Sequence, residues 1–169
     1  MKIHVTGWEE REVEINLPSS SFKVEELRGR VRGRIVLLKR EERIEAEGEI
    51  EFTLSLTCSR CLETFEVHKR ERIRHFFLRK ERLPKEKELS SEDAETTYYE
   101  EEVIDMLPVL RDTILLSIPL KPLCREECKG LCPVCGKNLN EGECEHVKKK
   151  EEEIDPRWEK LKALLEKEE

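Results

Sequence analysis

The stretch Ile44-Glu-Ala-Glu-Gly-Glu-Ile-Glu-Phe-Thr-Leu-Ser-Leu56 decides the fold class. Its even positions, Ile44, Ala46, Gly48, Ile50, Phe52, Leu54 and Leu56, are apolar or small. The odd ones, from Arg43 through Glu45, Glu47, Glu49, Glu51 and Thr53 to Ser55, are polar. Alternation with period two over that length predicts a β-strand with one buried face. Gly48 at its centre suggests a bend or bulge. Phe65, Val67, Ile73 and Phe77 continue at odd spacing after a turn at Cys58 to Cys61, so a second strand follows antiparallel. Upstream, Lys2 to Val5 and Glu12 to Leu17 read as a short strand pair turning near Gly7. Phe22 to Leu27 reads as a helical turn capped by Ser21. The expectation is an α+β chain: an antiparallel meander curling toward a partly closed barrel, then helices and a small zinc-knuckle-like segment.

Charge divides the 169 residues. They carry 32 Lys and Arg against 39 Asp and Glu, a net charge of −7. Residues 1–83 net +2, residues 84–105 net −7 and residues 106–169 net −2. The stretch 84–105 has no periodic apolar positions before Tyr98 and reads as a solvated acidic linker between a β domain (1–83) and a C-terminal region (106–169). In that region, Val103, Met106, Leu107, Leu110, Ile114 and Leu115 have helical spacing, with Pro108 marking a start or a kink. Asp155 and Pro156 open a final helix whose apolar stripe is Trp158, Leu161, Leu164 and Leu165. No apolar run approaches the ~18 residues of a membrane helix. Met1 to Glu10 lacks the apolar core of a signal peptide. A cytoplasmic protein is expected.

Seven cysteines are an odd number, which a secreted disulfide framework avoids, and in a reducing compartment close pairs suggest metal chemistry. Cys124, Cys128, Cys132, Cys135, Cys144 and His146 are six soft ligands within 23 residues. Cys132-Pro-Val-Cys135-Gly136 has the form of a zinc knuckle, in which two thiolates reach one ion and glycine lets the backbone bend. A second pair must close the tetrahedron. Cys124 and Cys128 are favoured, because the connection from Cys128 to Cys132 is short and contains Gly130. Cys144 and His146 are the alternates. A binuclear or iron–sulfur cluster is the lesser reading. Four bound thiolates make a closed, structural site without catalytic chemistry. Cys58-Ser-Arg60-Cys61 stands apart. The strand-like sequence after it argues against a thioredoxin-type redox motif. A second knuckle contributing to the metal, or a tight turn with two inert thiols, both remain open.

Arg28, Arg30, Arg32 and Arg34 stand at every second position. An extended chain places all four on one side, a guanidinium ladder suited to phosphates. The alternative is a solvated face whose arginines pair with the glutamates between Glu41 and Glu51. Lys69, Arg70, Arg72, Arg74, Arg79, Lys80 and Arg82 form a second basic stretch. No phosphate-binding loop or aromatic RNA-binding motif accompanies them, and no small-molecule substrate is evident. His4, His68 and His75 read as ordinary side chains.

Cys58-Ser-Arg60-Cys61-Leu62-Glu63 with Phe65 resembles the first signature of the YceD family. Arg111-Asp-Thr-Ile-Leu-Leu-Ser-Ile-Pro119, running into Cys124-x3-Cys128-Lys-Gly-Leu-Cys132-Pro-Val-Cys135-Gly-Lys-Asn-Leu-Asn140, is similar to its second. Asp155-Pro-Arg-Trp158 resembles its ending. The family comprises large ribosomal RNA subunit accumulation proteins. The resemblance implies a non-enzymatic bacterial factor for synthesis, processing or stability of large-subunit rRNA, with that rRNA or a pre-ribosomal particle as partner. Many relatives carry cysteine where His146 stands, and imidazole also ligates zinc. The arginine ladder would touch RNA, and the acidic linker would engage a basic ribosomal protein. A zinc-stapled adaptor binding protein alone, and a metal-dependent rRNA-processing enzyme, are the competing readings.

Overall fold

A computed structural model describes residues 1–41, 43–80 and 95–146. Seven strands and one α-helix are described: β1 Lys2–His4, β2 Glu10–Pro18, β3 Leu27–Lys39, β4 Arg43–Thr57, β5 Thr64–Arg79, β6 Thr96–Tyr99, β7 Val103–Asp105 and α1 Met106–Ser117. They form a five-stranded sheet in the order β2-β3-β4-β5-β6 and a two-stranded sheet of β1 and β7. The five-stranded sheet is mixed, since β6 runs parallel to β5. Neither sheet closes into a barrel, which corrects that expectation, and helix is a minor component.

β4 behaves as its alternation requires: Ile44, Ala46, Ile50, Phe52, Leu54 and Leu56 are buried. Leu27, Val31, Ile35 and Leu37 of β3, and Ile73 and Phe77 of β5, contribute to the same buried set. Phe76 is buried from the other face of β5, where the guanidinium groups of Arg43 and Arg74 lie 4.5 and 5.3 Å from its ring centre. Gly48 sits in unbroken register opposite Ile35, as Gly33 does opposite Ile50, so the expected bulge is not there. The irregularity lies between Arg28 and Arg32, where Gly29 takes a positive φ of 66°.

β1 pairs with β7, not with β2 as its sequence position suggested. Ser19–Ser21 is a single 3-10 turn, and no α-helix follows it through Leu27. Within the stretch read as a linker, residues 84–94 lie outside the described part, while Thr96–Tyr99 and Val103–Asp105 are strands. Asp105 caps α1: its Oδ1 accepts from Leu107 N–H (3.0 Å) and from the Met1 amino group (2.7 Å). Burial pushes the Asp105 carboxyl up, but these two contacts outweigh it and hold it below the usual range. Pro108 falls in the first turn of α1, where its missing N–H has no helical partner to lose. Met106, Val109, Leu110 and Ile114 form the buried stripe. The final helix expected from Asp155 lies outside the described residues.

The chain divides into two compact units. One comprises Met1–Leu56 with Glu66–Leu120; the other comprises Thr57–Phe65 with Lys121–Glu169. The boundary expected at 105/106 falls inside the first unit, and the one expected at 83/84 lies outside the described residues. The second unit contains all seven cysteines.

Candidate functional sites

Two groups of four ligands form in the second unit. Cys58, Cys61, Cys124 and Cys128 make one; Cys132, Cys135, Cys144 and His146 make the other, and in each the ligand atoms lie within 4.8 Å of one another. The four cysteines expected on one ion therefore separate two and two. The turn at Cys58–Cys61 joins the pair Cys124/Cys128, and the alternates Cys144 and His146 join the knuckle at Cys132/Cys135. The separation has a local cause. After Cys128 the chain turns at Gly130, whose φ is 75°. Leu131 then bridges to Asn138, and Leu139 N–H donates to Gly130 O (2.9 Å), closing a small hairpin around Cys132 and Cys135.

In the first group the Sγ atoms of Cys58 and Cys128 are 3.7 Å apart, as are those of Cys61 and Cys124. A disulfide needs about 2.05 Å. Tetrahedral arms of ~2.3 Å to one zinc put thiolates roughly 3.8 Å apart. Backbone and amide donors face these sulfurs: Arg60 N–H donates to Cys58 Sγ (3.5 Å) and Asn140 Nδ2 to Cys128 Sγ (3.3 Å). Burial pushes the Cys58 thiol up, yet backbone N–H groups of Cys61, Cys124 and Arg60 bring it down to about 6. In the second group, the backbone N–H groups of Cys135 and Val134 bring Cys132 to about 6. The Arg60 guanidinium donates to Cys128 O (2.9 Å) and Glu126 O (3.3 Å), fastening the turn to the strand of chain that carries the second pair.

Asn138 and Asn140 went unread in the sequence as ligand supports. Asn140 Oδ1 accepts from Lys129 N–H (2.9 Å), its Nδ2 also donates to Asn138 Oδ1 (2.9 Å), and Asn138 Nδ2 donates to Glu63 Oε1 (2.8 Å). The Asn-Leu-Asn after the knuckle is thus a bracket around the first group, the outer support that metal ligands usually need.

The two C-x2-C turns share one backbone form. Gly136 N–H donates to Cys132 O (2.9 Å) at φ 71°; Leu62 N–H donates to Cys58 O (3.0 Å) at φ 60°. Leucine stands where the second knuckle has the glycine that left-handed backbone favours, which is why this turn was ambiguous from sequence. Leu62 is 65 % exposed and has little packing to lose. Leu62→Gly is expected to stabilise the protein by about 0.5 kcal/mol, and Leu62→Val to destabilise it by about 1 kcal/mol. Denaturant titration of both variants checks the opposed signs.

The outer face of the five-stranded sheet in the first unit is striped by charge. Glu12 and Glu14 stand on β2, the arginine ladder on β3, Glu47, Glu49 and Glu51 on β4, and Arg70, Arg72 and Arg74 on β5. Arg34 pairs with Glu12 (2.8 Å) and Glu14 (3.8 Å). Arg70 pairs with Glu51 (2.8 Å), Arg72 with Glu49 (3.2 Å) and Arg74 with Glu47 (3.7 Å). The glutamates of β4 thus serve the arginines of β5, and Arg34 is neutralised from β2. The pattern ends at the bulge. Arg30 donates to Asn16 Oδ1 and O (both 2.6 Å), Arg28 to Leu27 O (3.2 Å) and to Glu25 O, all uncharged acceptors. The Arg32 guanidinium has no hydrogen bond or ion pair among the described residues. These three, with His68, Lys69 and Arg70, line an open groove of about 790 Å³ whose carboxylates are Glu51 and Glu66. Of the five cations there, Arg70 is paired with Glu51 and Lys69 Nζ with Glu71 (3.8 Å), which leaves Arg28, Arg30 and Arg32 without a carboxylate partner among the described residues. His68 Nδ1 shares a hydrogen bond with Thr53 Oγ1 (2.8 Å).

No helix among the described residues is long and apolar enough to cross a membrane. No solved structure matches the chain. An uncharacterized protein of Mycobacterium tuberculosis is 33 % identical over 108 residues, 64 % of this chain and 49 % of that protein. An uncharacterized Mycobacterium leprae protein is 29 % identical over a stretch of the same length. The chain thus spans about half the length of these relatives. The chloroplastic large ribosomal RNA subunit accumulation protein YCED homolog 1 of Zea mays is 51 % identical over 37 residues, 22 % of this chain and 13 % of that protein. The family described as large ribosomal RNA subunit accumulation protein YceD matches residues 46–165, which covers most of β4, all of β5 and α1, and every candidate ligand, and the chain belongs to that family.

Proposed function

We propose that this protein is a non-enzymatic cytoplasmic factor for the accumulation of large-subunit rRNA. In this reading zinc is a structural staple of the second unit, and the β3 arginines are the RNA contact. Its partner is large-subunit rRNA or a pre-ribosomal particle. The observation that carries the RNA assignment is the unbalanced end of the striped sheet. Surface ion pairs elsewhere on that face leave little net field, whereas Arg28, Arg30 and Arg32 have no carboxylate partner among the described residues. Guanidinium groups on neighbouring positions of a rigid strand suit successive phosphates of a backbone. Arg34, the fourth residue of the ladder, contributes least, because Glu12 and Glu14 already occupy it. Among the described residues the two candidate metal groups are complete sets of four ligands, which favours a structural and binding role over a hydrolytic one.

The test is binding to large-subunit precursor rRNA across a salt series. Arg28→Ala, Arg30→Ala and Arg32→Ala combined should weaken binding by about tenfold or more and reduce the salt slope by about 2 to 3. Arg34→Ala alone should change affinity less than about twofold. Equal losses from Arg34 and from the other three would remove the groove assignment. A protein partner that survives RNase treatment of a native pull-down, with no enriched rRNA, would instead favour the adaptor.

A further inference from the structure

We propose that the second unit holds two zinc ions in separate centres of unequal exchange: a closed one on Cys58, Cys61, Cys124 and Cys128, and an exchangeable one on Cys132, Cys135, Cys144 and His146. The inference rests on zinc being the structural metal of this unit and goes beyond it in number, ligand assignment and lability.

Each group supplies four ligands and shares none with the other, so no thiolate needs to bridge two ions. Both are built on the same C-x2-C turn, closed by a backbone hydrogen bond to the carbonyl of its first cysteine. Sulfur and nitrogen donors in a set of four select zinc among common divalent ions. The S–S edges of 3.7 Å in the first group suit one tetrahedral ion.

The two centres differ in charge and access. Zinc on four thiolates carries a formal −2, and on three thiolates with neutral imidazole −1. The doubly negative centre is the more buried one: Cys58 is 0 % exposed, Cys61 and Cys128 3 % each, and Cys124 half-buried, whereas the other group has Cys132 as its one buried ligand. Such a charge is tolerated inside only if donors surround it, and Arg60 N–H and the Asn140 amide fill that role. In the other group, Cys135 and His146 are exposed. A chelator displaces protein ligands one at a time, so it must first reach the ion. At the exposed edge it can do so directly, while the buried group must open first.

The experiment uses the full chain purified with zinc. Metal content is measured by elemental analysis and native mass spectrometry, then release to excess EDTA is followed with alkylation mapping of each cysteine. Two equivalents are expected, one leaving at least about tenfold faster because the other exchanges only through local opening. Cys132, Cys135 and Cys144 should become alkylated with the fast equivalent; Cys58, Cys61, Cys124 and Cys128 should follow the slow one. His146→Ala should abolish the fast equivalent and leave the slow one. A single equivalent, equal rates, or loss of the slow equivalent in His146→Ala overturns the proposal while zinc remains structural. No zinc at all overturns both readings.

Discussion

Gly48→Ala is expected to destabilise the protein by about 3 kcal/mol, lowering the midpoint of thermal unfolding by roughly 6–12 °C. A Cβ at this position would lie 2.2 Å from Arg34 O and 2.7 Å from Ile35 Cα. Both are backbone atoms of the neighbouring strand, so no side chain can rotate away to make room. Gly33 is the mirror case, its Cβ 2.2 Å from Glu49 O and 2.8 Å from Ile50 Cα. Each glycine faces an isoleucine across the β3–β4 ladder, Gly33 opposite Ile50 and Gly48 opposite Ile35. The absent side chains let the strands close in while Ile35 and Ile50 fill the core. Gly33→Ala should cost a comparable amount. The double variant should cost clearly less than the two together, because either methyl alone already forces the strands apart. Calorimetry of the three variants decides it. A loss below about 1 kcal/mol for Gly48→Ala would mean the strands can separate cheaply there.

That pair shows what kind of information the sequence holds. The alternation from Ile44 to Leu56 was readable because one buried face imposes a period of two on local sequence. The same alternation suggests a bend or bulge at Gly48, since a glycine in a strand marks either such an irregularity or a close approach, and only the partner strand distinguishes them. α1 was readable from the spacing of Met106, Leu110 and Ile114, but its cap at Asp105 was not read, and Val103, counted with the helix, lies in β7. The pairing of β1 with β7 was not, because it joins residues a hundred positions apart without any local mark. The parallel placement of β6 against β5 had no local mark either. Phe76 breaks the alternation of β5 and is buried by Arg43 and Arg74, a covering that hydrophobic patterning does not register.

At the cysteines, composition announced metal chemistry, and proximity misdirected the grouping. The short connection from Cys128 to Cys132 suggested one site, yet Gly130 and the Leu131–Asn138 bridge turn those residues into a boundary between two. Leu62 concealed the likeness of the first turn to the second. On the sheet, the arginine ladder was visible, but its division into a neutralised and a charged end depends on which strands flank it. Glu12 and Glu14 reach Arg34 and no farther along the ladder.

Cys128→Ser should have the largest effect of any single substitution, unfolding the described part of the second unit. The buried cluster of that unit is Cys58, Cys61 and Cys128, with Phe65, Leu123, Cys124 and Leu131 packed partly against it. Among the described residues, three partly buried hydrophobic side chains beside four thiols are far too little apolar surface to offset the entropy of ordering Thr57–Phe65 and Lys121–His146. Zinc binding to a thiolate set of this kind is worth on the order of 10 kcal/mol, and it is folding free energy where no core exists without it. Serine removes one ligand and leaves the Asn140 amide without its sulfur acceptor. Hydrogen exchange should therefore show protection lost across Thr57–Phe65 and Lys121–His146, with β2, β3 and β4 up to Leu56 retaining theirs. Chelation of the unaltered protein until both equivalents are gone should reproduce the pattern. If the variant and the chelated protein both kept Thr57–Phe65 and Leu123–Leu131 protected, the apolar contacts would be sufficient and the metal would not be what holds this unit.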